Sequence, residues 1–303
     1  MIPRRALVTA LAMSIAAFVG CKQKSSEATE PNAPATRIVS LSPAASVIVR
    51  DLGRERDIVG RHAFDYVVSQ KLPVCGDQAG IDYESLLAAR PTHVLAEWGA
   101  KRLPARLGEL AAERGWKVVN LEFLTLDDVR RSARDVAAAL NAETTEQAAS
   151  LNTRLALLGV GSDIDTGRTV LLLVSTSPVG ALGPGTLHQQ LVRAIGAAPV
   201  PRDGPGYTEL THEDLKALDP WAIVVLIPRP PRDATHVEAV NNTDDPFAPL
   251  RPLGLRAVSE DRAVVIDDPL CLIPSTSILS LAQRLETLVE RWSIAMPEPT
   301  SGT

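Results

Sequence analysis

The 303-residue sequence predicts an α/β protein in which two lobes are joined by a helical segment. Three observations carry that prediction. Short apolar strands alternate with amphipathic helices from residue 37 to 125, the pattern of a largely parallel sheet. The alternation restarts beyond Gly167. Between the two lies a proline-free stretch, Leu126 to Leu158, whose apolar residues recur at spacings of three and four.

Arg37 to Leu41 reads as a buried strand, ended by Ser42-Pro43 and followed by a helix from Ala45 to Leu52. Ile58 to Gly60 is the second strand. A loop rich in aromatic and polar groups then leads to a short helix, Asp82 to Ala89. Pro91 stops it, because the residue before a proline is pushed out of the α region. His93 to Ala96, Pro104 to Arg114 and Lys117 to Asn120 follow as strand, helix and strand. In the connecting stretch Val129, Ala133, Val136, Ala137, Leu140, Ala148, Leu151 and Leu155 share one face. Asn141 is the place for a cap or bend, which leaves one helix or two open. The second lobe reads as a strand Thr169 to Val174, a Gly/Pro loop, helices Thr186 to Ile195 and Thr211 to Leu218, and a strand Ala222 to Ile227. Strand Ala263 to Ile266 and helix Ser275 to Trp292 close it. Pro228 to Pro252 is proline-rich and polar, an irregular excursion.

The N-terminus has the form of an export signal: Arg4 and Arg5 precede an apolar or small run, Ala6 to Val19, and then Gly20-Cys21. The run is about 14 residues, short of the roughly 20 that cross a bilayer. Phe18-Val19-Gly20-Cys21 resembles the lipobox of bacterial lipoproteins, with Phe18 where Leu is usual. That resemblance implies cleavage before Cys21 and lipid on its thiol. The expected organisation is a signal at 1–20, a polar tether at 21–36, a lobe at 37–125, a bridging segment at 126–159, a lobe at 160–293 and a tail at 294–303. Net charge is -5, which argues against nucleic acid as a partner. Past Cys21 only Cys75 and Cys271 remain; a disulfide, metal ligation and free thiols all stay open.

An internal repeat is the most informative feature. Asp82-Tyr-Glu-Ser-Leu-Leu-Ala-Ala-Arg-Pro91 matches Thr211-His-Glu-Asp-Leu-Lys-Ala-Leu-Asp-Pro220, and both lead into a strand. Asp82 and Thr211 are N-cap residues, which puts Glu84 and Glu213 in the first helical turn. Those glutamates could simply complement the helix dipole, worth about 0.3–1 kcal/mol each.

With RIVSLSPAAS, IDYESLLAARPTHVL and LTHEDLKALDPWAIV in view, the chain from Arg37 to Trp292 resembles the helix-bridged periplasmic substrate-binding proteins of ABC importers, which take cobalamin, ferric siderophores or haem. The resemblance implies two Rossmann-like lobes joined by a long bridging helix, with a ligand cleft between them. It also implies a monomeric, lipid-anchored receptor in the cell envelope rather than an enzyme. The ligand would be a metal chelate, cobalamin first, and the partners an ABC permease and its ATPase subunits. By motif position Glu84 and Glu213 would dock into arginines of the permease.

Ligands of open α/β sheets lie beyond the carboxyl ends of the strands. The candidate contacts there are Ser42, Pro43, Arg61, His62, Phe64, Gln78, Trp98, Gly183, Tyr207 and Leu270. Tyr207 stands where cobalamin-binding relatives carry a tryptophan. Arg61 and His62 are placed in the loop after the second strand, where Arg61 suits an acidic siderophore and His62 a haem iron. Each aromatic could equally be packing. Two other readings compete with this one. Gly180 to Gly185 has the placement of a phosphate-binding turn, but Pro184 removes a donor and the glycine spacing is wrong. A free zinc or manganese receptor would need convergence among His62, His93, His188, His212 and His236.

Overall fold

A computed structural model describes residues 35–160, 163–229 and 245–294. The signal, the lipidation candidate Cys21, most of the tether, His236 with its neighbours in 230–244, and the tail from 295 lie outside the described residues.

The first lobe runs β1 (Ile38–Ser40), α1 (Pro43–Asp51), β2 (Ile58–His62), β3 (Val74–Asp77), β4 (Gly80–Ile81), α2 (Tyr83–Ala89), β5 (His93–Ala96), α3 (Ala105–Arg114) and β6 (Lys117–Asn120). Ser42 starts α1 by accepting from the Ala44 and Ala45 N–H groups, with Pro43 at the first helical position, where its missing N–H costs nothing. The strand order is β4-β3-β2-β1-β5-β6, parallel except for β4. Strands β3 and β4 fall in the stretch the sequence suggested was loop. They are short, and Gly76, Asp77 and Gly80 carry no strand signature.

Two helices make the connection, α4 (Leu126–Ala139) and α5 (Glu146–Leu157). The chain turns at Asn141, whose φ of 52° is left-handed, and Thr145 caps α5. The helices run antiparallel: Arg130, early in α4, donates from Nε to the Leu155 carbonyl at 3.0 Å and from Nη2 to that of Leu158 at 2.9 Å. The single long bridging helix is therefore a hairpin of two.

The second lobe has β7 (Asp165–Thr176), β8 (Val179–Leu182), α6 (Leu187–Ala194), β9 (Ala197–Val200), β10 (Tyr207–Leu210), α7 (His212–Leu218), β11 (Ala222–Ile227), α8 (Arg256–Ser259), β12 (Ala263–Asp267) and α9 (Ile278–Ile294). Its sheet is ordered β10-β8-β7-β11-β12, and β9 also pairs with β7. The expected Gly/Pro loop is in fact β8, antiparallel to β7 and to β10.

Both sheets are covered on both faces, as parallel sheets must be. On β1, Ile38 and Val39 point into different apolar clusters; on β7, Leu172 faces one way and Leu171 and Leu173 the other; β11 repeats this with Val224 against Ile223 and Val225. The inner faces meet. One continuous cluster takes Ile38 and Ile48 from the first lobe, Val129, Val136 and Leu151 from the hairpin, and Leu172, Leu191, Leu281 and Trp292 from the second. Direct hydrogen bonds add to it: Ser275 Oγ donates to the Ala44 carbonyl at 2.5 Å and Thr276 Oγ1 to Asp51 Oδ2 at 2.7 Å.

Candidate functional site

In the first lobe the strand order reverses between β1 and β5, and Ser42 and Glu97 follow just beyond their carboxyl ends, the place where ligands of open α/β sheets sit. Ser42 is 1% exposed and donates from Oγ to Glu97 Oε2 at 2.5 Å. Glu97 as a residue is exposed, yet atoms crowd its carboxyl: loss of solvent raises its pKa above the usual carboxylate value despite the bond from Ser42. Sequence reasoning passed over Glu97. The available signal was a charged residue directly after the apolar strand Val94-Leu95-Ala96.

Arg61 and His62 belong to β2 itself, not to the loop that follows. Arg61 is 8% exposed, and its Nη1 donates to the carbonyls of His62 at 3.0 Å and Ala63 at 2.9 Å. It braces the turn through that nitrogen, while its buried Nε finds no partner among the described residues. His62 Nδ1 accepts the Phe64 N–H at 3.2 Å. The imidazole is then protonated on Nε2, opposite to the tautomer that offers Nε2 to a metal. Its pKa is lowered, mainly by burial. Phe64 is 51% exposed, with its ring centroid 5.9 Å from that of His62. The turn is held by Asp65, also unforeseen. Fully buried, it accepts from Ser46 Oγ at 2.5 Å and from the Val67 N–H at 2.9 Å.

Gln78 is exposed in the β3–β4 turn, and Pro43 is half-buried at the start of α1. Trp98 packs against the outer apolar cluster of its lobe. Gly183 answers a steric demand, since a Cβ there would lie 2.0 Å from the Pro205 carbonyl oxygen. Tyr207, 50% exposed on β10, lies over Gly180, where a Cβ would come within 2.8 Å of its Oη. The glycines read as a phosphate turn thus permit close strand approach. Leu270 is half-buried in the turn after β12, its N–H donating to Asp268 Oδ1 at 2.8 Å. Cys75 and Cys271 are buried free thiols, their pKa values pushed by burial to about 11 and about 12. His93 Nε2 contacts the Ala139 carbonyl at 3.0 Å and His188 Nε2 that of Cys271 at 2.8 Å. Among the described residues no three His, Cys, Asp or Glu side chains converge to hold a metal.

The sequence repeat is a structural one. An antiparallel strand (β4, β10) leads to a side-chain N-cap (Asp82, Thr211) and then to a seven-residue helix (α2, α7). A left-handed C-cap follows (Arg90 at φ 45°, Asp219 at φ 30°), then proline, then the strand beside the lobe's central one (β5, β11). Glu84 and Glu213 occupy the same second helical position, both exposed and neither in an ion pair among the described residues. An open groove borders each copy of the repeat. One of about 350 Å3 runs beside Gly80 to Asp82, and one of about 510 Å3 beside Leu210 to Glu213.

The family model for periplasmic binding proteins matches residues 38–268, most of the chain. The chain belongs to the periplasmic binding protein family. No curated protein matches the sequence. Among solved structures, this periplasmic binding protein is similar to the periplasmic vitamin B12 binding protein BtuF of Vibrio cholerae, with a TM-score of 0.64 at 19% identity over 86% of this chain and 98% of that one. The periplasmic heme-binding protein HutB of the same organism gives 0.64 at 19% over 84% and 98%. RhuT of Roseiflexus sp. RS-1, also a periplasmic heme-binding protein, gives 0.62 at 20% over 86% and 99%. At such identities the likeness is one of fold. No helix among the described residues is long and apolar enough to cross a membrane.

Proposed function

We infer that this periplasmic binding protein is the substrate-binding lipoprotein of an ABC importer, capturing a metal chelate in a cleft between its lobes and handing it to a membrane permease. The observation that carries the reading is the paired repeat. Two exposed carboxylates, Glu84 and Glu213, stand at equivalent points of two related lobes, neither in an ion pair among the described residues. Such a pair can take charge-assisted bonds from two permease arginines and fix the receptor's orientation. Cytoplasmic ATPases would then drive release, and lipid on Cys21 would hold the receptor at the membrane.

Cobalamin is the first ligand class, with ferric siderophore and haem after it; the fold neighbours include proteins named for vitamin B12 and for heme. The half-exposed Tyr207 and Phe64 offer aromatic faces of the kind a corrin or porphyrin packs against. The haem reading would require His62 to exchange its bond with Phe64 for iron. The test is an absorbance spectrum of the purified chain after incubation with cyanocobalamin, haemin or a ferric siderophore and gel filtration. Stoichiometric co-elution of one chromophore is the expected result; co-elution of none would overturn the chelate reading.

A further inference from the structure

Charges at the strand ends are unevenly satisfied. Three arginines reach groups there: Arg61 the His62 and Ala63 carbonyls, Arg229 Asp267 at 2.7 Å, and Arg284, from α9, Asp268 at 3.4 Å. Glu97 is the opposite case. It makes no ion pair among the described residues, and Ser42 is its hydrogen-bond donor. It sits where the strand order reverses, so a ligand seated over β1 and β5 meets it. Burial raises its pKa, and no charged neighbour contributes to that shift. Lys101 and Arg102 follow in the next turn, both exposed, where solvent and salt screen them.

We propose that Glu97 is a specificity-determining residue of the ligand site: it accepts hydrogen bonds from amide arms of a neutral chelate and turns away chelates bearing carboxylates. This rests on the chelate-receptor reading above. The Ser42 hydroxyl reaches Oε2, leaving Oε1 as an acceptor for an incoming N–H. An amide offered there gains a bond to a charged acceptor, stronger than one between neutral groups. A propionate offered there meets a like charge. With the strand-end arginines engaged, that repulsion has few compensating contacts.

The experiment titrates the full chain with cyanocobalamin and separately with haemin, following quenching of tryptophan fluorescence, for the wild type, Glu97→Gln and Glu97→Asp. The wild type is expected to bind cyanocobalamin the more tightly. Glu97→Gln keeps the size and the Ser42 contact, and should weaken cyanocobalamin by about tenfold, the scale of a hydrogen bond to a charged group. It should strengthen haemin. Glu97→Asp keeps the charge and should keep the discrimination against haemin, which leaves a test standing if the glutamine variant does not fold. A Glu97→Gln preference equal to the wild type's, or a wild type that favours haemin, overturns the assignment while leaving the receptor reading intact. Binding of neither probe by the wild type overturns the assignment; that reading falls with it only if a ferric siderophore is not bound either.

Discussion

His188 is 7% exposed, and its Nε2 meets the Cys271 carbonyl at 2.8 Å. Burial lowers its pKa from the ordinary 6.5, against a smaller opposing effect of that hydrogen bond. The unfolded chain therefore binds a proton on this ring more readily than the folded one. It follows that stability rises with pH through the window below 6.5 and is lost as acid is added. His62 and His93 are lowered in the same sense, whereas Asp65 and Glu97, raised by burial, act in the opposite one. Comparing wild type with His188→Gln isolates the one ring. In thermal melts from about pH 7.5 to 5, the wild type should lose more stability than the variant; parallel curves would refute the assignment. At this scale the sequence disclosed which residues cluster near strand ends, but not which way they face. Arg61 turned inward and Trp98 packed outward, because both offers were decided by neighbours distant in sequence.

Strands and helices were legible where their signal was strong. Ala222 to Ile227 is a continuous apolar run, and each short repeat helix has a cap at one end and proline just beyond the other. What stayed hidden were β3, β4, β8, β9 and β10, all four residues or fewer, several with glycine or proline, which ordinarily mark turns. They exist because tertiary pairing supplies what local propensity lacks. Gly183 illustrates the constraint. A methyl group there would stand 2.0 Å from the Pro205 carbonyl oxygen, so the β8–β10 pair would have to part. Gly183→Ala is expected to destabilise the protein by about 2 kcal/mol or more, read as a lower urea midpoint. An unchanged midpoint would mean that the 201–206 turn yields freely.

Across the whole molecule the lobes, the helical hairpin and α9 share one apolar cluster, and the described residues from Thr36 onward form one compact unit. Separating the lobes would expose residues such as Val136, Leu151 and Leu191, each worth about 1.5–3 kcal/mol when buried. A frame held by one shared core suits the proposed receptor, which would present two carboxylates to a permease. The repeat that carries those carboxylates could be read from the sequence because both copies use the same local grammar of cap, glutamate and proline. The shared core could not, since it is built from contacts between the two halves of the chain. The most direct test of the account reverses both charges, Glu84→Lys with Glu213→Lys, and measures chelate uptake by cells alongside the affinity of the purified chain for the same chelate. Uptake abolished with affinity unchanged is the predicted result; lost affinity, or uptake that continues, would contradict the separation of docking from binding.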